Sequence, residues 1–187
     1  MERKKVFFRS HAAGRDFTNE EWTAYCEATW RGQQEPETFT FGEFTFNIHD
    51  VCLNPRKAVD FKNAAVQIQV TTAKSPDGRW TAGHSLNAPN FYSGSPAIFS
   101  TIRYAHAFQT EAEAVLYELA GIEKQLNREL GEVATFIPGS GDDARTAPEK
   151  LAAYNTKRKK ILQKALNGIT SLCRSFQNRQ LSLFPDL

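Results

Sequence analysis

The sequence predicts an α+β fold: an antiparallel sheet of about four strands packed by helices, with a long C-terminal helix and an extended tail. Two periodicities and the composition carry this expectation. Between Phe39 and Leu86, apolar and polar residues alternate at period two, the spacing of strands with one buried face. From Thr110 to Leu130, and again from Glu149 to Phe176, apolar residues recur at intervals of three and four, the spacing of amphipathic helices. Hydrophobic residues make up 41% of the 187, with 14 Phe and 3 Trp, which supplies a core and argues against global disorder.

Each element has a local reason. Thr18-Asn19-Glu20-Glu21 is a helix start, because the cap accepts orphan amide hydrogens and the acids suit the dipole. A first helix is expected from about Asn19 to Arg31, ended near Gly32, with Trp22, Cys26 and Trp30 on one face. Phe39 and Phe41, then Phe44, Phe46 and Ile48, flank Gly42-Glu43 and predict a hairpin. Ala64, Val66, Ile68 and Val70 alternate in a third strand. The turn Ser75-Pro76-Asp77-Gly78 leads to a fourth, with Trp80, Ala82, His84 and Leu86 alternating. Asn87 to Pro96 reads as a loop, and Phe99 to Tyr104 as a short edge element. Thr110-Glu111-Ala112-Glu113 is a capping box opening a helix to about Leu130, whose Leu119, Ile122 and Leu126 can close over the sheet.

Residues 1–135 are therefore expected as the α+β domain and 136–148, with Pro-Gly-Ser-Gly-Asp-Asp, as a linker. Residues 149–178 form a basic amphipathic helix, and 179–187 a docking tail. The helix stripe includes Leu151, Tyr154, Arg158, Ile161, Leu162, Ala165, Ile169, Leu172 and Phe176. It can pack on the body, on the preceding helix or on a second copy of the chain, so a homodimer through this helix is among the expectations. No apolar run approaches the roughly 18 residues of a membrane span, and the charged start Met1–Arg9 lacks the apolar stretch of a signal peptide. The expected location is cytoplasmic. Cys26, Cys52 and Cys173 are three, widely spaced and without Cys-x-x-Cys, which argues against disulfides and a zinc site.

The one motif with a function attached is Gln180-Leu181-Ser182-Leu183-Phe184. It resembles the short peptide Gln-Leu-Ser/Asp-Leu-Phe with which bacterial proteins bind the DNA polymerase sliding clamp, and all five positions match. Average composition puts a chance match in a chain this long on the order of one in a few thousand. The resemblance implies a clamp partner, with Leu181, Leu183 and Phe184 as hydrophobic anchors, Gln180 hydrogen-bonded at the pocket rim and Ser182 tolerant of exposure. It covers five residues and implies nothing about the body.

The charge distribution supplies a second signal. The chain nets +2, but from Arg145 onward it carries nine Lys/Arg and two acids, +7 against −5 for the remainder. Lys157, Arg158, Lys159, Lys160 and Lys164 concentrate this charge on the last helix, and DNA phosphates are a plausible target beside a solvated helix face. Elsewhere the chemistry is thin. His11, His49, His84 and His106 are scattered and read as satisfied structural histidines. Trp80, Gly83, His84, Asn90, Phe91 and Tyr92 read as core and loop anchors more than as a base-stacking platform. No nucleophile motif, phosphate loop, metal-ligand spacing or cofactor signature occurs. The expectation is an accessory protein of DNA replication, repair or a mobile genetic element such as a phage or plasmid, docked on the clamp and more a binder than an enzyme. Two rivals stand beside it: an inhibitory or anti-defence protein acting by protein contact, and a clamp-recruited DNA-processing enzyme.

Overall fold

The computed structural model describes residues 5–63, 65–75, 77–99, 107–132 and 148–183. The fold is α+β, and the described residues form antiparallel sheets, one of them four-stranded, and three helices. The elements in order are β1 (Phe8–Ser10), β2 (Arg15–Phe17), α1 (Asn19–Trp30), β3 (Thr38–Phe41), β4 (Phe44–Asn47), β5 (Arg56–Asn63), β6 (Val66–Lys74), β7 (Trp80–Ala88), β8 (Phe91–Ser95), α2 (Glu111–Glu132) and α3 (Pro148–Leu183). The chain clusters into two compact units, one of Met1–Ala58, Thr71–Gly83 and Ser95–Ala114, the other of Val59–Val70, His84–Gly94 and Val115–Leu187.

The sheet has the expected number of strands but a different membership. The large sheet runs β5-β6-β7-β8, and the β3–β4 hairpin stands as a separate two-stranded sheet. β5 was hidden by its mixed charges, Arg-Lys-Ala-Val-Asp-Phe-Lys-Asn, in which Val59 is the one buried residue. β8 lies within the segment expected as a loop. Its Tyr, Ser and Gly alternate between half-buried and exposed positions, as befits a border strand with little apolar content. In the β3–β4 hairpin, Phe41 pairs with Phe44 and Gly42 takes a φ of 59°, the positive value that a two-residue hairpin loop needs.

The first unit is built on aromatic rings and one carboxylate. Phe8, Phe17, Tyr25 and Ile48 are buried together, with the Trp22 ring 4.2 Å from Phe8 and 5.1 Å from Phe17. A second cluster gathers Phe44, Phe46, Cys52, Ala73, Ala97 and Phe99. Asp50 is completely buried. Its carboxylate accepts from the Ser10 hydroxyl at 3.2 Å and from the amides of His11 and Ala12 at 2.9 and 2.8 Å. Its carbonyl accepts from the Phe99 amide at 3.0 Å. A φ of 62° aims the side chain there, a conformation that Asp tolerates better than most side chains. Gly83 fits because a Cβ there would lie 2.4 Å from the backbone of residues 95–97. α1 starts with the expected capping box between Thr18 and Glu21. Its expected apolar face is corrected at one end: Tyr25 is the buried residue, and Trp30 is 86% exposed.

The second unit is aliphatic. Val66, Ile68 and Val70 of β6, Leu86 of β7, Leu119, Ile122 and Leu126 of α2, and Leu162 and Ile169 of α3 are all buried. Each such side chain contributes roughly 1.5–3 kcal/mol. α2 opens with the expected box, in which the Glu113 amide donates to the Thr110 hydroxyl at 3.2 Å and Glu113 answers at the Thr110 amide at 3.0 Å. Gly168 of α3 is where the Phe61 ring of β5 arrives, since a Cβ at 168 would fall 2.5 Å from that ring. A glycine that weakens the helix is thus the residue that admits its neighbour. The expected linker, 136–148, lies outside the described residues apart from Pro148, which begins α3. Of the expected edge element, Phe99 is described and buried, and 100–104 lie outside.

Asp50→Ala should destabilise the protein by about 2–4 kcal/mol, because it orphans buried donors and keeps an unfavourable positive φ. Asp50→Asn, which tolerates that φ and keeps one acceptor oxygen, should cost less. Urea denaturation of the two variants checks the order.

Candidate functional site

The candidate site is α3, which carries both function-bearing signals of the sequence. Its backbone is helical to Leu183, further than the expected end at 178. No Gly or Pro interrupts 169–183, and α3 runs through Leu183. Gln180, Leu181, Ser182 and Leu183 therefore lie in its last turn by backbone, in place of the expected extended tail. Phe184, with 185–187, lies outside the described residues.

The basic run divides. Lys157, Lys159, Lys160 and Lys164 are exposed, whereas Arg158 is 2% exposed. This corrects the expectation that Arg158 belongs to a nucleic-acid surface. Its Nη2 donates to Glu129 Oε2 at 2.7 Å and its Nε to the Pro89 carbonyl at 3.2 Å. The guanidinium thus ties α3 to α2 and to the β7–β8 turn, and the Asn90 amide meets the Tyr154 hydroxyl beside it. The reason is geometric. Position 158 falls on the apolar stripe with Leu162, Ala165 and Ile169, and burial follows the stripe. At about 100° per residue, Lys157, Lys159 and Lys164 lie about 100–120° around the helix from Arg158, and Lys160 lies nearly opposite it. Their charges are left to solvent. α3 meets α2 a second time where the Thr170 hydroxyl donates to Glu123 at 3.1 Å.

A second cluster gathers residues that the sequence left scattered. His84 on β7 places Nδ1 2.5 Å from Glu118 Oε2 of α2 and Nε2 3.3 Å from Ser93 Oγ of β8. Gln125, two turns along α2, donates from Nε2 to the same Ser93 oxygen at 2.8 Å. The His84 and Glu118 side chains are 13% and 12% exposed. This bears out His84 as a histidine with partners, but the partners were not legible. They sit 34 and 9 residues away, and Ser93 lies in a segment read as a loop.

The remaining candidates are structural. Trp80 meets Phe44 edge-on at 6.3 Å and carries the Arg56 guanidinium 5.3 Å above its ring, so it is occupied within the first unit. His49 lies edge-on to Trp22 at 4.8 Å, and desolvation holds its imidazole below the usual histidine range, with Asp50 pulling the other way. Burial pushes the Cys52 thiol up; it does the same to Cys173, helped there by Glu123, so neither has the character of a ready thiolate. Among the described residues, no group of three or more His, Cys, Asp or Glu is placed to hold a metal ion, and no helix is long and apolar enough to cross a membrane. Comparison with protein-family models, curated proteins and solved structures finds no match for the chain.

Arg158→Met should cost about 3 kcal/mol, because the half-buried Glu129 is left with only the looser Arg128 contact at 3.7 Å. Arg158→Met combined with Glu129→Met should recover most of that loss. Replacing Lys159 or Lys160 by Gln should change stability by less than about 0.5 kcal/mol. Thermal melts of the four variants measure all of this.

Proposed function

We propose that this protein is an accessory factor of DNA replication or repair, or of a mobile genetic element such as a phage, that docks on the bacterial sliding clamp through Gln180–Phe184. The observation that carries the reading is the full five-position match. The chain physics supports it. The backbone of α3 includes Gln180–Leu183, in the last turn described, where few residues would need to unwind for the peptide to extend into a pocket. Leu181, Leu183 and Phe184 would each contribute roughly 1.5–3 kcal/mol on entering an apolar pocket, less the entropy of ordering the segment. Binding by a single peptide should then be near micromolar, and a ring with repeated pockets adds avidity.

The exposed lysines of α3 support a contact with DNA threaded near such a partner. Lys157, Lys160 and Lys164 recur at three and four along the helix, and removing each phosphate contact should lower the salt slope of binding by about 0.9. A second reading, an inhibitory or anti-defence protein that works by protein contact, draws on the exposed apolar side chains of the first unit: Trp30, Val6 and Phe7 are 86%, 53% and 50% exposed.

Two titrations separate the readings. The intact chain should bind purified sliding clamp, and Leu183→Ala/Phe184→Ala should weaken this more than tenfold. Equal binding by both, or none by either, removes clamp docking from consideration. Replacing Lys157, Lys159 and Lys160 by Gln should then flatten the salt dependence of duplex DNA binding. An unchanged affinity and slope would leave those lysines as a solvated face and favour the protein-contact reading.

A further inference from the structure

We infer that Ser93 is an activated nucleophile that takes an acyl group from a carboxylic ester, with His84 as its base. The inference is independent of clamp docking and rests on the contact set of the second unit. His84 stands between an acceptor and a hydroxyl: Nδ1 is 2.5 Å from Glu118 Oε2, and Nε2 is 3.3 Å from Ser93 Oγ. A carboxylate at Nδ1 holds the proton on that nitrogen, which leaves Nε2 with its lone pair toward the serine. Gln125 completes the assignment. Its Nε2 donates to Ser93 Oγ at 2.8 Å, so the hydroxyl oxygen is already an acceptor there and its own proton is directed to His84. Ser, His and Glu therefore stand in the order nucleophile, base and orienting acid, held by two adjacent strands and one helix.

Access is from the border of the sheet. β8 ends the strand order, and Ser93, half-buried, keeps part of its surface open there. Glu118 is 12% exposed, which shields its charge from water and strengthens its hold on the ring. The side chain of Gln125 leaves Oε1 buried without a protein partner, an unfilled acceptor beside the serine.

The chemistry balances with water as co-reactant. Ser93 Oγ bonds to the ester carbonyl carbon as its proton passes to His84 Nε2. The tetrahedral adduct collapses, the bond to the alcohol oxygen breaks, and His84 returns the proton to the departing alkoxide. Water then attacks the acyl-serine with His84 again as base, releasing the carboxylic acid and restoring Ser93. Glu118 and Gln125 are positioning residues in this scheme.

The test is covalent capture on the full chain. A fluorophosphonate probe forms a bond from Ser93 Oγ to phosphorus as fluoride leaves, and peptide mass spectrometry locates it. Labelling should fall on Ser93 and vanish in Ser93→Ala, whose thermal melt should stay cooperative although lowered, because the Gln125 donor loses its acceptor. The labelling rate should drop by about 100-fold or more in His84→Gln. It should drop at least about tenfold in Glu118→Gln, which keeps the shape of the side chain but cannot hold the same tautomer. p-Nitrophenyl acetate should be turned over by the parent and not by Ser93→Ala. An unlabelled Ser93 in the parent overturns the inference, as does a rate indifferent to both His84→Gln and Glu118→Gln or ester turnover unchanged in Ser93→Ala.

Discussion

One buried guanidinium governs how the last helix meets the rest of its unit. Arg158 is desolvated on the apolar stripe of α3 and compensated by Glu129 of α2 and the Pro89 carbonyl of the β7–β8 turn. A buried charge tolerates little freedom, since each partner lost leaves several kcal/mol uncompensated. The helix is thus fixed in rotation as well as position. An all-apolar stripe would leave neighbouring rotations close in energy, whereas a planar guanidinium with directed donors distinguishes among them. Everything offered by α3 follows from that rotation. Its four neighbouring lysines face solvent.

The same unit uses polar contacts to align the other layers. Thr170 and Glu123 join α3 to α2, and His84, Ser93, Glu118 and Gln125 join α2 to the border of the sheet. The aliphatic core supplies the gross stabilisation, and these contacts select the register in which it closes. In the first unit, Asp50 has the equivalent place. Its carboxylate gathers backbone donors from the β1–β2 turn, and its carbonyl takes the amide of Phe99, so two distant segments share one residue in a conformation few side chains accept.

What the sequence disclosed depended on the range of the forces involved. The two capping boxes, at Thr18 and Thr110, were legible because donor and acceptor lie three residues apart. β6 and β7 showed their alternation because one face of each is buried in a core. β5 and β8 did not, since Lys57, Asp60 and Lys62 in one and Ser93 and Gly94 in the other dilute the pattern. Arg158 was legible twice, as a stripe position and as part of a basic run, and the three-dimensional partner at Glu129 decided between them. The candidate site was half legible. The peptide at 180–184 is a local word and could be read directly, but the helical backbone of 180–183 followed from the helix-permissive run before it. The serine, histidine and glutamate cluster is long-range throughout and had no local signature.

In the proposed docking, a peptide segment and not the folded body directs this protein to a sliding clamp. A competition measurement addresses it most directly. A synthetic peptide spanning residues 176–187 is titrated against the preformed complex of the intact protein with purified clamp, observed by fluorescence anisotropy. Complete displacement at a peptide affinity near micromolar is the predicted result. Persistence of the complex at saturating peptide would place the binding energy in the body and contradict the claim.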